Sequence, residues 1–342
     1  MQQVIAQLSL LVPAAVVSFL LSVNLILLLR PWLRRHALAH ANARSSHLSP
    51  TPQGGGIAVI AAATCITWVA AAITPALLQG QIQQFLVLTA AIMLLAVVGA
   101  VDDVHPLPAA PRLALQMVAV GATIAALPSD WHIIPHLPWW AERGAIFIGA
   151  LWFVNLVNFM DGIDWMTVAE FVPALGALTL FALAEKIDPL AAVLAVALLG
   201  ATLGFAPFNK PVARLFLGDA GSLPMGLVLG WLLLQLAENG HLAAALILPL
   251  YYVLDATTTL LRRAVRHQPL WRAHRDHFYQ RALDQGLTVS QVILRVFLVN
   301  IALAALALLT LAAPGLGWLA LVAGAAIVLW LLRNLVRGEA QA

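Results

Sequence analysis

The sequence predicts an all-α, polytopic integral membrane bundle of about eleven transmembrane helices, with the N-terminus outside and the C-terminus cytoplasmic. Three observations lead there. Hydrophobic residues fill 62% of the 342 positions and charged residues only 10%, whereas soluble domains carry about 25% charged residues and need them to cover a water-facing surface. Apolar runs of about twenty residues, long enough to cross a bilayer as helices, recur from end to end. The Lys and Arg residues, Arg295 apart, fall between those runs, densely in some connections and sparsely in others.

In chain order, the spans are expected at residues 9–29, 56–74, 84–101, 112–128, 144–159, 167–184, 190–207, 219–237, 241–261, 289–311 and 316–332. No charged segment or small-residue cleavage site comes before the first run, so it is expected to be a retained helix and not a removed signal peptide. One set of connections holds Arg30, Arg34, Arg35, Arg44, Arg112, Lys210, Arg214, Arg262, Arg263, Arg266, Arg272, Arg275, Arg281, Arg333 and Arg337. The alternate set holds only Arg143 and Lys186. Positive residues stay cytoplasmic, so the first set marks the inner face. The outer connections carry Trp131, Trp139 and Trp140, as expected of an interfacial aromatic belt. The net charge of +3 therefore reflects orientation in the membrane, not a nucleic-acid partner. Cys65 is the only cysteine, which excludes a disulfide framework or a cysteine metal site within one chain. No soluble domain, repeat or low-complexity linker interrupts residues 1–342, which read as one transmembrane domain.

The acidic residues carry the chemical signal. Asp102 and Asp103 end the third span in GAVDDVHPL, Asp161 and Asp164 end the fifth in NLVNFMDGID, and Asp219 opens the eighth in FLGDAGS. All five fall on the inner face, which was assigned from basic residues alone. Carboxylates gathered at a membrane edge repel one another and are costly to desolvate unless a cation or polar partners compensate. Mg²⁺ favours carboxylate oxygens, usually one or two, and completes its shell with water and substrate phosphates. Arg112, Lys210, Arg214 and the stretch RRAVRHQPLWRAHRDHFYQR supply cations for an anionic substrate on the same face. Acids for a metal beside bases for anions suggest a phosphorylated substrate. Asn155, Asn158, Asp161 and Asp164 recur at steps of three, roughly along one helical face. Blander roles remain open at this point: a helix-ending pair at Asp102 and Asp103, an interhelical polar stripe through Asn155 and Asn158, and an N-cap at Asp219. Glu170, Asp255 and Arg295, within or near spans, are left outside the site, with interhelical pairing expected for Asp255.

The ordered set DDVHPL, NLVNFMDGID, FNKPVARLFLGDAGS and AHRDHFYQR resembles the polyprenyl-phosphate N-acetylhexosamine-1-phosphate transferases, a glycosyltransferase family 4 type. The likeness runs from about Arg44 to Arg281 and takes in ARSSHLSPTPQGGG before the second span. AHRDHFYQ looks most like the O-antigen-initiating branch, since the peptidoglycan enzymes have a run of histidines there. Trp165 and Met166 depart from the small residues of many relatives, and Tyr279 and Gln280 stand where other branches have histidines.

The resemblance implies transfer of an N-acetylhexosamine 1-phosphate from a UDP-sugar to undecaprenyl phosphate, with release of UMP. It implies a multi-pass protein of the bacterial inner membrane, with the site facing the cytoplasm and room for a homodimer. The cofactor implied is Mg²⁺, with Mn²⁺ as a substitute, held by Asp219 with Asp103. Asp102 would orient the lipid phosphate or take its proton. Asn155, Asn158, Asp161 and Asp164 would place the nucleotide sugar, and Phe216 would stack on uracil. Arg275, His274 and His277 would meet the sugar-phosphate end, with Arg112 as a further phosphate contact. A secondary transporter is the rival reading, but its acids belong near the bilayer midplane, whereas these gather at one edge. A CDP-alcohol phosphotransferase would concentrate its acids in one segment, and these are spread over three.

Overall fold

Length and apolarity dictate helices throughout, and the computed structural model is a helical bundle. It describes residues 2–39, 50–134, 136–269 and 274–337; Arg272 and the whole ARSSHLS stretch, with Arg44, lie outside them. The helices are α1 (Gln2–His36), α2 (Gly56–Ile73), α3 (Ile82–Val104), α4 (Ala109–Ala125), α5 (Trp139–Met160), α6 (Met166–Leu183), α7 (Pro189–Asn209), α8 (Asp219–Leu236), α9 (Leu242–Ile247), α10 (Leu250–Val265), α11 (Phe278–Asp284), α12 (Val289–Ala312) and α13 (Gly317–Arg337). A two-residue antiparallel ladder joins β1 (Leu38–Ala39) to β2 (Thr51–Pro52).

Each predicted span has a helical counterpart, with two differences. Among the described residues, nine helical stretches are long and apolar enough to cross a membrane, and α4, for the span predicted at 112–128, is a shorter apolar helix. The span predicted at 241–261 is divided into α9 and α10 at Pro249, where a proline lacks the N–H and crowds the preceding turn. The chain enters α9 through non-helical backbone at Asn239 and left-handed backbone at Gly240 (φ +83°). α11 was not predicted as a separate element; seven residues are too few for a periodic signal.

The bundle has a protein-buried centre and a lipid-facing rim. The apolar windows of α7 and of the α8–α9 stretch are 78% and 89% buried within the protein, against 28% for α1. Helices associate in lipid through close packing and interhelical hydrogen bonds, and the α1–α7 contact uses both. Ser18 and Ser22 donate from Oγ to the carbonyls of Ala197 and Ala201, at 2.7 and 2.9 Å. Gly200 lies so close to the Ala15 carbonyl that a Cβ would collide with it. Leu28, Ile73, Val118, Ile148 and Trp330 are exposed on the rim, as a lipid-facing belt requires.

One end of the bundle is laced by polar contacts. Gln53 N–H donates to the Ala37 carbonyl, Phe216 N–H to Pro52, and Gly55 and Gly56 N–H to Phe216 and Leu217. These bonds bind the α1–α2 connection to the loop before α8. Gly99 of α3 abuts the backbone of Asp219 and Ala220, so that a Cβ there would overlap the Asp219 carbonyl. Gly99→Ala should therefore destabilise the protein by about 1–3 kcal/mol, the range for overpacking a tight contact. A lowered thermal midpoint of the detergent-solubilised variant is the expected result; an unchanged midpoint would show that α3 and α8 separate freely.

Candidate active site

The laced end gathers the acidic motifs. α3 delivers Asp102 and Asp103 from its last turn, α5 delivers Asn158 and its C-cap Asp161, and α8 begins with Asp219. Asp103 accepts the backbone N–H of Asp219 at 2.9 Å and of Ala220 at 3.2 Å. A carboxylate from one helix thus satisfies the orphan donors at the start of another, where the helix dipole favours negative charge. The N-cap residue is Gly218, at φ +78°. A Cβ there would collide with the Asp103 carboxylate, so the glycine answers both to the backbone geometry and to the close approach.

The N-cap reading of Asp219 is thereby corrected: Asp219 is the first helical residue, and the capping carboxylate is that of Asp103. The Asp219 side chain turns to other side chains. Its Oδ1 accepts Asn158 Nδ2 at 2.7 Å, and its Oδ2 lies 3.4 Å from Arg112 Nη1. The same Nη1 donates to Asp102 Oδ2 at 2.7 Å, while Asp102 Oδ1 accepts Leu107 N–H at 2.6 Å. Arg112, from the first turn of α4, therefore links Asp102 to Asp219.

The other predicted residues divide into near and remote. Asp161, between α5 and α6, accepts Thr167 Oγ1. Burial, opposed by that hydrogen bond and reinforced by Asp219 and Asp164, raises its pKa to about 7. Asp164 is buried and accepts Ala213 N–H at 2.9 Å, which fixes the loop before α8. Asn155 donates to Gln116 Oε1 at 2.8 Å and clasps α5 to α4, about one turn before Asn158. Phe216 is half-buried in the loop paired with Pro52 and Gly55. Arg275 forms an ion pair with Asp284 at 3.2 Å.

His277 is buried, and its ring stacks between His274 and Tyr279, with centroids 5.0 and 5.8 Å away. Tyr279 donates from its hydroxyl to the Phe159 carbonyl at 3.1 Å, which sets this group beside the turn of α5 that carries Asn158. Asp255, which sequence reasoning left out, is fully buried under it. Its Oδ1 lies 3.2 Å from His277 Nδ1 and accepts Phe278 N–H at 3.1 Å. A carboxylate oxygen already accepting a backbone N–H calls for a donor at Nδ1, which leaves Nε2 as the ring's second polar atom. The signal available in sequence was an ionisable residue at membrane depth, which defaults to a functional role.

Among the described residues, no group of three or more His, Cys, Asp or Glu forms a ready-made metal cage. Mg²⁺ does not require one, since it takes one or two carboxylates and fills its shell from water and phosphate. The donors that Asp102, Asp103 and Asp219 offer are all oxygen, the kind a hard cation takes, and Arg112 now neutralises part of the charge on Asp102 and Asp219.

The chain is similar to known proteins over most of its length. Residues 85–237 match the family model of glycosyl transferase family 4. The chain is 25% identical, over 83% of its length and 82% of the relative's, to a probable undecaprenyl-phosphate N-acetylglucosaminyl 1-phosphate transferase of Bacillus subtilis. It is 26% identical, over 78% of its length and 74% of the relative's, to the decaprenyl-phosphate N-acetylglucosaminephosphotransferase of Mycobacterium leprae. It is also 32% identical to the phospho-N-acetylmuramoyl-pentapeptide-transferase of Geobacillus kaustophilus, over 62% of this chain and 71% of that one.

The Asp255–His277 pair gives a test that needs no substrate. In protein labelled with ¹⁵N-histidine, the neutral His277 ring should carry its proton on Nδ1, and Asp255→Asn should abolish that preference. A neutral ring protonated on Nε2 in the unsubstituted protein would contradict the assignment.

Proposed function

The chain belongs to glycosyl transferase family 4, and on that basis we propose that it transfers an N-acetylhexosamine 1-phosphate from a UDP-sugar to undecaprenyl phosphate. A phosphate oxygen of the lipid attacks the β-phosphorus, the bond from that phosphorus to the bridging oxygen breaks, and UMP leaves. The observation that carries the reading is Arg112, half-buried, held between Asp102 and Asp219 at the end of the bundle that gathers the acidic motifs. Arg112 binds phosphate oxygens, for which its planar fork is suited. Asp102, beside it, orients the lipid phosphate or accepts its proton. Asn158, Asp161 and Asp164 border the nucleotide sugar, and His277 meets its phosphates. Asp219 and Asp103 would hold Mg²⁺, which when bound supplies positive charge against the phosphates of the donor.

The relatives include enzymes named for N-acetylglucosamine phosphate and for the phospho-N-acetylmuramoyl-pentapeptide. The first donor class is favoured here. Tyr279 and Gln280 replace histidines of the peptidoglycan branch, and both are buried. The product on this reading starts a lipid-linked cell-envelope polysaccharide, such as the lipid-borne part of lipopolysaccharide.

Purified protein with undecaprenyl phosphate and Mg²⁺ should release UMP from a UDP-N-acetylhexosamine, perform poorly with UDP-MurNAc-pentapeptide, and fall silent in EDTA. Asp219→Asn should keep the fold, because its side chain caps nothing, and should lose at least about a hundredfold in turnover, the scale of one major electrostatic stabiliser. Efficient use of the pentapeptide donor would overturn the branch, and a fully active Asn variant would remove Asp219 from the chemistry. The inner membrane and a cytoplasmic site complete the proposal. After Cys65→Ser, a cysteine at Val212, an exposed position in the loop before α8, should resist an impermeant thiol reagent in intact cells, while cysteines at Ser129 or Asn239 should react. Labelling at Val212 from outside would invert the topology.

A further inference from the structure

We propose that an arginine-lined pocket between α10, α11 and α13 binds the phosphate of an anionic phospholipid, with one acyl chain along the groove that adjoins it. The pocket has a volume of about 520 Å³, and Arg262, Arg263, Arg266 and Arg281 all line it. Asp276 is the one carboxylate in its wall, and Arg263 takes that group in an ion pair. Among the described residues, no carboxylate pairs with Arg262, Arg266 or Arg281. Arg263 is 8% exposed, and its Nε has no hydrogen-bond partner among them. Guanidinium groups gathered on one cavity repel one another and favour an anion, and their forked donors match phosphate oxygens.

The second cavity identifies the rest of the ligand. It has a volume of about 270 Å³, shares Arg262 and Val336 with the first, and is lined by Phe278, Leu329, Leu332 and Arg333. Leu329 and Leu332 belong to the apolar stretch Pro314–Val336, and Leu329 is exposed on the rim. Arg262 lies over the Phe278 ring, 4.5 Å from its centroid, where the charged and apolar parts meet. A free phosphate or a nucleotide fills the first cavity and leaves the apolar one empty. A phospholipid at headgroup depth fills both, with the attraction expected between basic residues and anionic leaflets. None of the acids on α3, α5 or α8 lines either cavity, so the inference is independent of the proposed reaction.

The test reads binding and not turnover. Thermal midpoints of the full-length protein are compared in phosphatidylcholine vesicles, in the same vesicles with a minor fraction of phosphatidylglycerol, and in phosphatidylcholine with inorganic phosphate. Phosphatidylglycerol should raise the midpoint of the unsubstituted chain and survive as a bound adduct in native mass spectrometry, while inorganic phosphate should do neither. The Arg266→Gln, Arg281→Gln double variant should need about tenfold more phosphatidylglycerol for half its effect. Leu329→Trp, a change on the lipid-facing rim that obstructs the chain groove while leaving every arginine in the sequence unchanged, should weaken the response as well, and it serves if the double variant does not fold. An unaltered response in either folded variant, or equal stabilisation by inorganic phosphate, overturns the proposal.

Discussion

A carboxylate placed in a membrane protein away from water needs partners that stay with it, and Asp103 obtains them from the backbone of another helix. Its two oxygens accept the first N–H groups of α8, where unsatisfied donors and the helix dipole together favour an anion. That junction determines much of its surroundings. It requires glycine at Gly218, because a side chain would occupy the carboxylate's place, and glycine at Gly99, because α3 approaches the α8 backbone too closely for a Cβ. It brings Asp219 to the neighbourhood of Asp102, so that Arg112 can reach both. The α1–α2 connection joins the same junction, since Gln53 donates to the Asp103 carbonyl.

The surrounding bundle keeps that junction rigid. α8 packs against α2, α3 and α5, and α7 against α1, α2 and α6. Hydrophobic burial provides little drive between helices in lipid, so small residues and interhelical hydrogen bonds do the joining. Ser18, Ser22 and Gly200 do this between α1 and α7, and Asn300 does it between α12 and α6 by donating to the Ala169 carbonyl and to Glu170. Precision at the acidic end is therefore inherited from contacts along the length of the bundle.

Most of the helix order was legible because apolar length is a direct requirement of the bilayer and does not depend on tertiary context. The break at Pro249 was less so: apolarity remains high across it, and only the missing N–H reveals it. The acids were legible as a group from repeated carboxylates on one face. Their individual tasks were not, since capping depends on which helix end lies nearby in space. Sequence adjacency offered Asp219 as the cap of its own helix, whereas the cap comes from Asp103, 116 positions earlier. Asp255 was set aside for the same reason, because His277 lies 22 positions away and the α10–α11 connection brings the two together.

The partners of each carboxylate also differ in how firmly they are held. Asp103 is engaged by backbone N–H groups of α8 and Asp164 by Ala213 N–H, while Asp161 accepts a side-chain hydroxyl, that of Thr167. Asp102 and Asp219 share Arg112, a half-buried side chain on a third helix. A backbone donor cannot leave without unwinding its helix or loop, whereas a guanidinium can rotate toward a stronger anion. On the proposed reaction, an incoming phosphate competes with both carboxylates for Arg112. The 2.7 Å contact to Asp102 is the tighter of the two and the 3.4 Å contact to Asp219 the looser. On that proposal, a phosphate that draws the guanidinium away gives up least by taking it from Asp219, and Asp102 is the carboxylate left beside the phosphate.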